Sequence, residues 1–162
     1  MRLYLAAICI ALVTLTVASC GTRATPDFVR EAAVNDMYEA EAGKLAAARG
    51  QSETVKQFAQ QMVEAHTQIT AELKGVVDAE KIDVTLPSEL DEKHRRMIED
   101  LSAAHEGDFD RTYAKQQVNA HEAAVEAFAD YAQSGDDEVM KAFAAKVLPV
   151  LKQHLEEARK LP

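Results

Sequence analysis

The sequence predicts an all-α fold, a ferritin-like up-down four-helix bundle whose second and third long helices are joined by a long crossover containing a short extra helix. Three observations carry this. Of 162 residues 48% are hydrophobic and 28% charged, with six Gly, four Pro, five Phe, four Tyr and no Trp, so strand formers and turn markers are scarce. Four long stretches repeat apolar residues at the helical period. Short turns join the first stretch to the second and the third to the fourth, making antiparallel neighbours, whereas roughly 30 residues separate the second from the third, the connection a ferritin-like bundle uses. With 18 Lys+Arg against 27 Asp+Glu, a net charge of −9, the chain lacks the basic clusters that displace counterions from phosphate, which argues against a nucleic-acid partner. Two Cys cannot frame a small disulfide-stapled protein.

The first segment stands apart from this fold. Met1 and Arg2 precede an apolar run from Leu3 to Ala18. That run is shorter than the roughly 20 residues a membrane-spanning helix needs. A basic start, an apolar middle and small residues at the end predict a secretory signal peptide over residues 1–19. Val17-Ala18-Ser19-Cys20 resembles the lipobox of bacterial lipoproteins, in which the Cys is acylated and becomes the new N-terminus. Acyl chains such as palmitate on Cys20 would hold the protein on a membrane, each buried CH₂ contributing about 0.8 kcal/mol. Gly21, in place of an Asp, favours the outer membrane and a domain facing the periplasm. Ordinary cleavage, or an uncleaved anchor, would leave Cys20 incidental. On the lipoprotein reading residues 20–26 are the lipidated Cys and a short tether, residues 27–162 are the bundle, and Cys9 leaves with the signal peptide. Loss of Arg2 makes the mature chain one charge more acidic.

The elements follow in order. Thr25 is expected to cap the first long helix, with Pro26 at its first position and Asp27 in its first turn. This helix spans about residues 28–49, with a stripe through Phe28, Ala32, Asn35, Tyr38/Glu39, Ala42 and Leu45/Ala46, and Gly50 stops it. Ser52 caps the second, which runs to about residue 79 on Val55, Phe58/Ala59, Met62, His66, Ile69, Leu73 and Val76/Val77. Residues 81–87 read as extended. Ser88 is expected to cap a short helix over 89–104, which Gly107-Asp108 ends. The third long helix covers 109–133 through Tyr113, Val118, His121, Val125 and Phe128. The fourth covers 137–160 through Met140, Phe143, Val147, Leu151 and His154, and Pro149 inside it predicts a kink.

Polar residues interrupt these stripes. His66, His121 and His154 replace apolar residues on the second, third and fourth long helices, and Glu39 falls on the stripe of the first. Counted from the turns, the members of each pair differ in level by about 6 Å, a gap that tilt or a kink at Pro149 would close. Two readings remain open. Three imidazoles and a carboxylate suit a zinc, copper or iron site. Alternatively Glu39 accepts hydrogen bonds from the His, with Tyr38 or Tyr113 assisting, in a buried polar layer; grouped His also suggest a pH-responsive core. A di-iron centre of the ferritin type fits less well than a mononuclear site, because no Glu-x-x-His pair is present and too many carboxylates are lacking. No phosphate loop, nucleophile elbow or Cys pair points to a catalytic residue.

Several segments carry a family resemblance. Asn35-Asp36-Met37-Tyr38-Glu39, the stretch from Val55 to Thr67 around His66, Phe109-Asp110-Arg111-Thr112-Tyr113, the His121 segment and Leu148-Pro149-Val150-Leu151-Lys152-Gln153-His154-Leu155 resemble, in order and spacing, the domain of unknown function 4142 family. The resemblance spans nearly all of the mature chain. It implies a ferritin-like bundle in an exported or lipid-anchored bacterial protein, with no activity attached, and makes Asp110, Tyr113 and Pro149 characteristic positions beside Glu39 and the three His. Where that family commonly has Asp before the first His, this chain has Ala65, so a mechanism needing a carboxylate beside His66 would have to use Glu64 or do without. The resulting expectation is a lipid-anchored envelope protein with a binding, structural or stress-related role rather than an enzymatic one, its protein or small-molecule partner unspecified. The alternative is a mononuclear metal-binding protein that handles or senses metal through Glu39, His66, His121 and His154.

Overall fold

The computed structural model describes residues 22–162; the signal peptide expected over 1–19 and the lipidation expected at Cys20 lie outside the described residues. The described chain is all-helical: α1 Thr25–Arg49, α2 Glu53–Glu80, α3 Glu92–Ala103, α4 Glu106–Ser134 and α5 Glu138–Ala158. No strand forms among the described residues, where the only extended pairing is an isolated bridge between Arg23 and Gly135. None of these helices is long and apolar enough to cross a membrane.

Helix ends depart from expectation where side chains find other partners. Ala24, not Thr25, is the N-cap of α1. The Thr25 hydroxyl instead bonds to Tyr131 and Asp136, and its backbone N–H donates to Asp136 Oδ1 at 2.9 Å, which docks the start of α1 on the α4–α5 turn. Ser52 caps α2 as its sequence suggests, accepting from the Thr54 N–H. The short helix starts later than Ser88 would have it, because Asp91 is the better cap: its carboxylate accepts from both the backbone N–H and the ring Nδ1 of His94, each at 2.8 Å. Helix α4 begins at Glu106, so Gly107-Asp108 does not break the chain. First-turn N–H groups need no helical acceptor, Asp108 favours the positive end of the dipole, and Gly107 is exposed. Helix α5 is continuous through Pro149, which lies on its solvent face, where water can serve the carbonyl that Pro leaves unbonded.

The topology is fixed at the two ends of the body. At one end Asp110, near the start of α4, accepts from the backbone N–H groups of Gln51 (2.9 Å) and Ser52 (2.7 Å) in the α1–α2 turn. At the other, Asp136 in the α4–α5 turn holds the start of α1. Helices α2 and α4 therefore run in the same direction, and residues 81–105 return the chain along the body. Ile82, Val84 and Leu86 of this crossover cover one half of the core, and Leu90, Met97 and Ile98 cover the other.

That core is divided. One hydrophobic cluster gathers Phe28, Ile69, Leu73, Phe128, Phe143 and Leu151, among others, toward the α4–α5 turn. A second gathers Phe58, Met62, Leu101, Phe109 and Tyr113 toward the α1–α2 turn. Small residues bring helices close between these anchors. At Gly43 a Cβ would sit 2.8 Å from Val63 Cγ2 and 2.9 Å from the Ala59 carbonyl, so α1 and α2 touch almost backbone to backbone.

Asp110 thus has a structural task that its sequence position alone did not disclose. Asp110→Ala removes both acceptors from the α1–α2 turn and is expected to cost about 1–3 kcal/mol, read as a lower midpoint in urea with the helical circular-dichroism spectrum of the native state retained.

Candidate metal centre

Between the two clusters lies a layer of buried polar side chains. Asp36 and Glu39 come from α1, His66 from α2, Gln117 and His121 from α4, and His154 from α5, and none exceeds 3% exposure. The ring centroids of His66, His121 and His154 stand 5.5 to 5.7 Å apart. One ligand atom from each of these three lies within 4.8 Å of the others. Three helices thus deliver their inward His to one point, and continuous α5 achieves this without a break at Pro149.

The arrangement around each ring differs. His66 donates from Nδ1 to Asp36 Oδ1 at 2.8 Å, and Thr70 reaches the other carboxylate oxygen at 3.4 Å. His121 donates from Nδ1 to the Gln117 carbonyl at 3.0 Å, one turn back on its own helix. Both acceptors occupy Nδ1, leaving Nε2 of each ring buried and without a partner. His154 Nδ1 is likewise enclosed and unpartnered. Glu39 is fully buried, but it is not one of the converging group. Its Oε1 lies 3.6 Å from Nδ1 of His121, on the side of the ring already bonded to Gln117.

Burial sets the protonation states. It holds His121 down at about 3 and His154 at about 4, helped in each case by the charge on His66, so both rings are neutral at pH 7. Burial would depress His66 too, but the hydrogen bond and charge of Asp36, with the charge of Glu39, outweigh it and raise the value. Asp36 is itself pushed up by burial against the opposing hydrogen bonds from His66 and Thr70, so the pair holds its shared proton tightly. Glu39 is pushed up to about 7 by burial, against the His66 charge and the nearby Gln117 amide, which favours the carboxylate without reaching hydrogen-bond geometry. Tyr113, with its hydroxyl enclosed and unpartnered, is raised by burial and by the charge of Glu39.

The structure therefore brings together His66, His121 and His154, with Glu39 and Tyr113 in adjoining layers, while Asp110 and Pro149 lie away at the turn and on the surface. The carboxylate beside His66 is Asp36, whereas Glu64 is exposed. Asp36 and Gln117 escaped the sequence reading. Asp36 lies fourteen residues before Gly50 as His66 lies fourteen after Ser52, so matching levels across the turn would have chosen Asp36 over Glu39. Gln117 stands midway between Tyr113 and His121 at helical spacing, on the same face. His94 belongs elsewhere, bonded to Asp91 and packed on Tyr38 with centroids 5.3 Å apart. A surface cleft of about 690 Å³ between α1, α3 and α4 is lined by His94 and Gln116 and includes none of the three central His.

In comparisons with known proteins, a family model described as a domain of unknown function (DUF4142) matches residues 15–161. No curated protein and no solved structure matches the chain.

The raised Glu39 has a measurable consequence in the metal-free protein. Its folded value of about 7 lies above the ordinary 4.5, so its contribution to stability is complete below pH 4.5 and is lost as the pH rises through 7. Relative to wild type, Glu39→Gln is expected to gain stability progressively over that window, up to roughly 3 kcal/mol at neutral pH. Urea unfolding of both proteins at pH 4.5, 6 and 7.5 gives the comparison, and a difference independent of pH would contradict the raised value.

Proposed function

Since the chain belongs to the DUF4142 family, a domain family of unknown function, its activity has to be read from the site, and we propose that it is a mononuclear transition-metal-binding protein of the bacterial envelope. His66, His121 and His154 are the ligands. Asp36 and the Gln117 carbonyl are the outer partners that aim two of them.

One observation carries this reading. Two of three converging rings have Nδ1 committed to an acceptor outside the cluster while Nε2 is buried with nothing to bond. A hydrogen-bonded layer without metal would pair these nitrogens with Glu39 or Tyr113. Instead both oxygens of Glu39, the Tyr113 hydroxyl and the whole Gln117 amide also lack partners. Burying so many polar atoms unpaired is costly, about 1–3 kcal/mol each, and a cation on the three nitrogens satisfies the nearest of them together.

The donor chemistry narrows the metal. Neutral imidazoles suit Zn²⁺, copper or iron, whereas Ca²⁺ and Mg²⁺ require oxygen ligands. Tetrahedral bonds of about 2.0–2.1 Å place ligand nitrogens roughly 3.3 Å apart. Closing from within 4.8 Å therefore needs only small ring movements. His121 and His154 are neutral at pH 7, but His66 must give up the proton that Asp36 and Glu39 favour, so affinity rises with pH.

Metal analysis of the purified protein is expected to give one Zn²⁺ or copper ion per chain, and none after joint replacement of His66, His121 and His154 by Ala. Asp36→Asn should retain the site with about 10–100-fold weaker binding, and an unchanged affinity would deny Asp36 its role. The envelope part of the proposal rests on the apolar N-terminal run and the lipobox-like Val17-Ala18-Ser19-Cys20. Cys20→Ser is expected to abolish acyl labelling and release the protein from the membrane fraction. Labelling that persists in the variant would refute lipidation at this residue.

A further inference from the structure

One group of buried atoms is left over after the three His are assigned. Glu39, Gln117 and Tyr113 are each 0% exposed, and both carboxylate oxygens, both amide heavy atoms and the phenol hydroxyl have no partner. Their positions are related. Tyr113, Gln117 and His121 follow one another at intervals of four on α4, and Glu39 follows Asp36 by three on α1, so all three side chains lie on the α1–α2-turn side of the His layer. Glu39 reaches to 3.6 Å from Nδ1 of the His121 ring, on the Gln117 side of that ring. The opposite side of the layer is closed by apolar Ala32, Ile69, Ala124 and Leu151.

Three histidines complete only part of a coordination sphere. Zinc sites with three protein ligands keep a further position for water or substrate. Resting on the metal reading above, we propose that Glu39, Gln117 and Tyr113 form the receiving surface for a small exogenous ligand at that open position. The occupant is a water-derived ligand at rest, exchangeable for a small monodentate anion. The donor and acceptor inventory fits such an occupant: the Gln117 side-chain N–H groups and the Tyr113 hydroxyl donate to it, and the Glu39 carboxyl or the Gln117 side-chain oxygen accepts from it. A purely structural metal site closes its fourth position with a fourth protein ligand, and among the described residues the candidate group contains only three. The site is on this reading a reactive one, able to hold a ligand that turns over rather than a metal that only cross-links helices.

The test uses the Co²⁺-loaded full-length protein, with azide as the probe and the visible d–d spectrum as the readout. Cobalt stoichiometry is measured first on wild type, Gln117→Leu and Tyr113→Phe, and all three are expected to bind one ion per chain. Azide is then expected to change the wild-type spectrum saturably, and each variant to bind azide about tenfold more weakly, the worth of one lost hydrogen bond. Cobalt bound normally with a spectrum indifferent to azide would overturn this proposal while leaving the metal site intact, as would equal azide affinity in wild type and both variants. Failure of wild type to bind cobalt would overturn both.

Discussion

The hydrogen bond between His66 and Asp36 sits where the two hairpins meet, and much of the rest is arranged around it. It ties α1 to α2 at matching distance from their shared turn, with both partners almost wholly removed from water. A buried carboxylate or imidazolium alone would be strongly unfavourable, and a pair breaks even only when its geometry is good and its remaining atoms are served. Asp36 meets that condition through Thr70. His66 meets half of it, since Nε2 is left over. The hydrophobic clusters above and below hold this layer in place, and their small residues let the helices approach closely enough for side chains of four helices to meet.

Such a layer is an inefficient way to stabilise a bundle. Leu or Ile at His66, His121 and His154 would join the two clusters into one continuous core, each fully buried side chain contributing roughly 1.5–3 kcal/mol. The chain instead forgoes that contribution in three adjacent places and adds Glu39, Gln117 and Tyr113 without partners. Sequences that break the rules of core construction in one contiguous spot usually do so where function is located. A ligand that engages these atoms in the folded state alone then stabilises the fold in proportion to its affinity and concentration.

Much of this was legible in the sequence, for definite reasons. Helical periodicity carries the long helices, because a stripe of Val55, Phe58, Met62, His66, Ile69 and Leu73 admits no other conformation that buries it on one side. Loop lengths carry the crossover, and the three His stand out by interrupting apolar stripes. Less was legible where partners come from distant segments. Thr25 looks like a cap until Tyr131 and Asp136, over a hundred residues away, bind its hydroxyl. Asp110 stands out in the sequence as a characteristic position with no task attached until the α1–α2 turn offers it two N–H groups. Asp36 lies one residue beyond the assumed stripe of α1, and an error of 100° about a helix axis is enough to misassign a carboxylate from core to surface.

The bridge at the start of the described chain has a mechanical side. Arg23 donates its backbone N–H to the Ser134 carbonyl and its guanidinium to the Ala127 carbonyl, and it pairs with Glu31. Two residues on, Thr25 is bonded to Asp136. A pull applied to the chain upstream of Thr22 is therefore shared at once between α1 and the distant α4–α5 hairpin instead of peeling α1 away alone. The load enters at the far end of the body from the α1–α2 turn. The His layer, about 16 Å along α1 from Thr25 at 1.5 Å per residue, is shielded from it by the larger hydrophobic cluster.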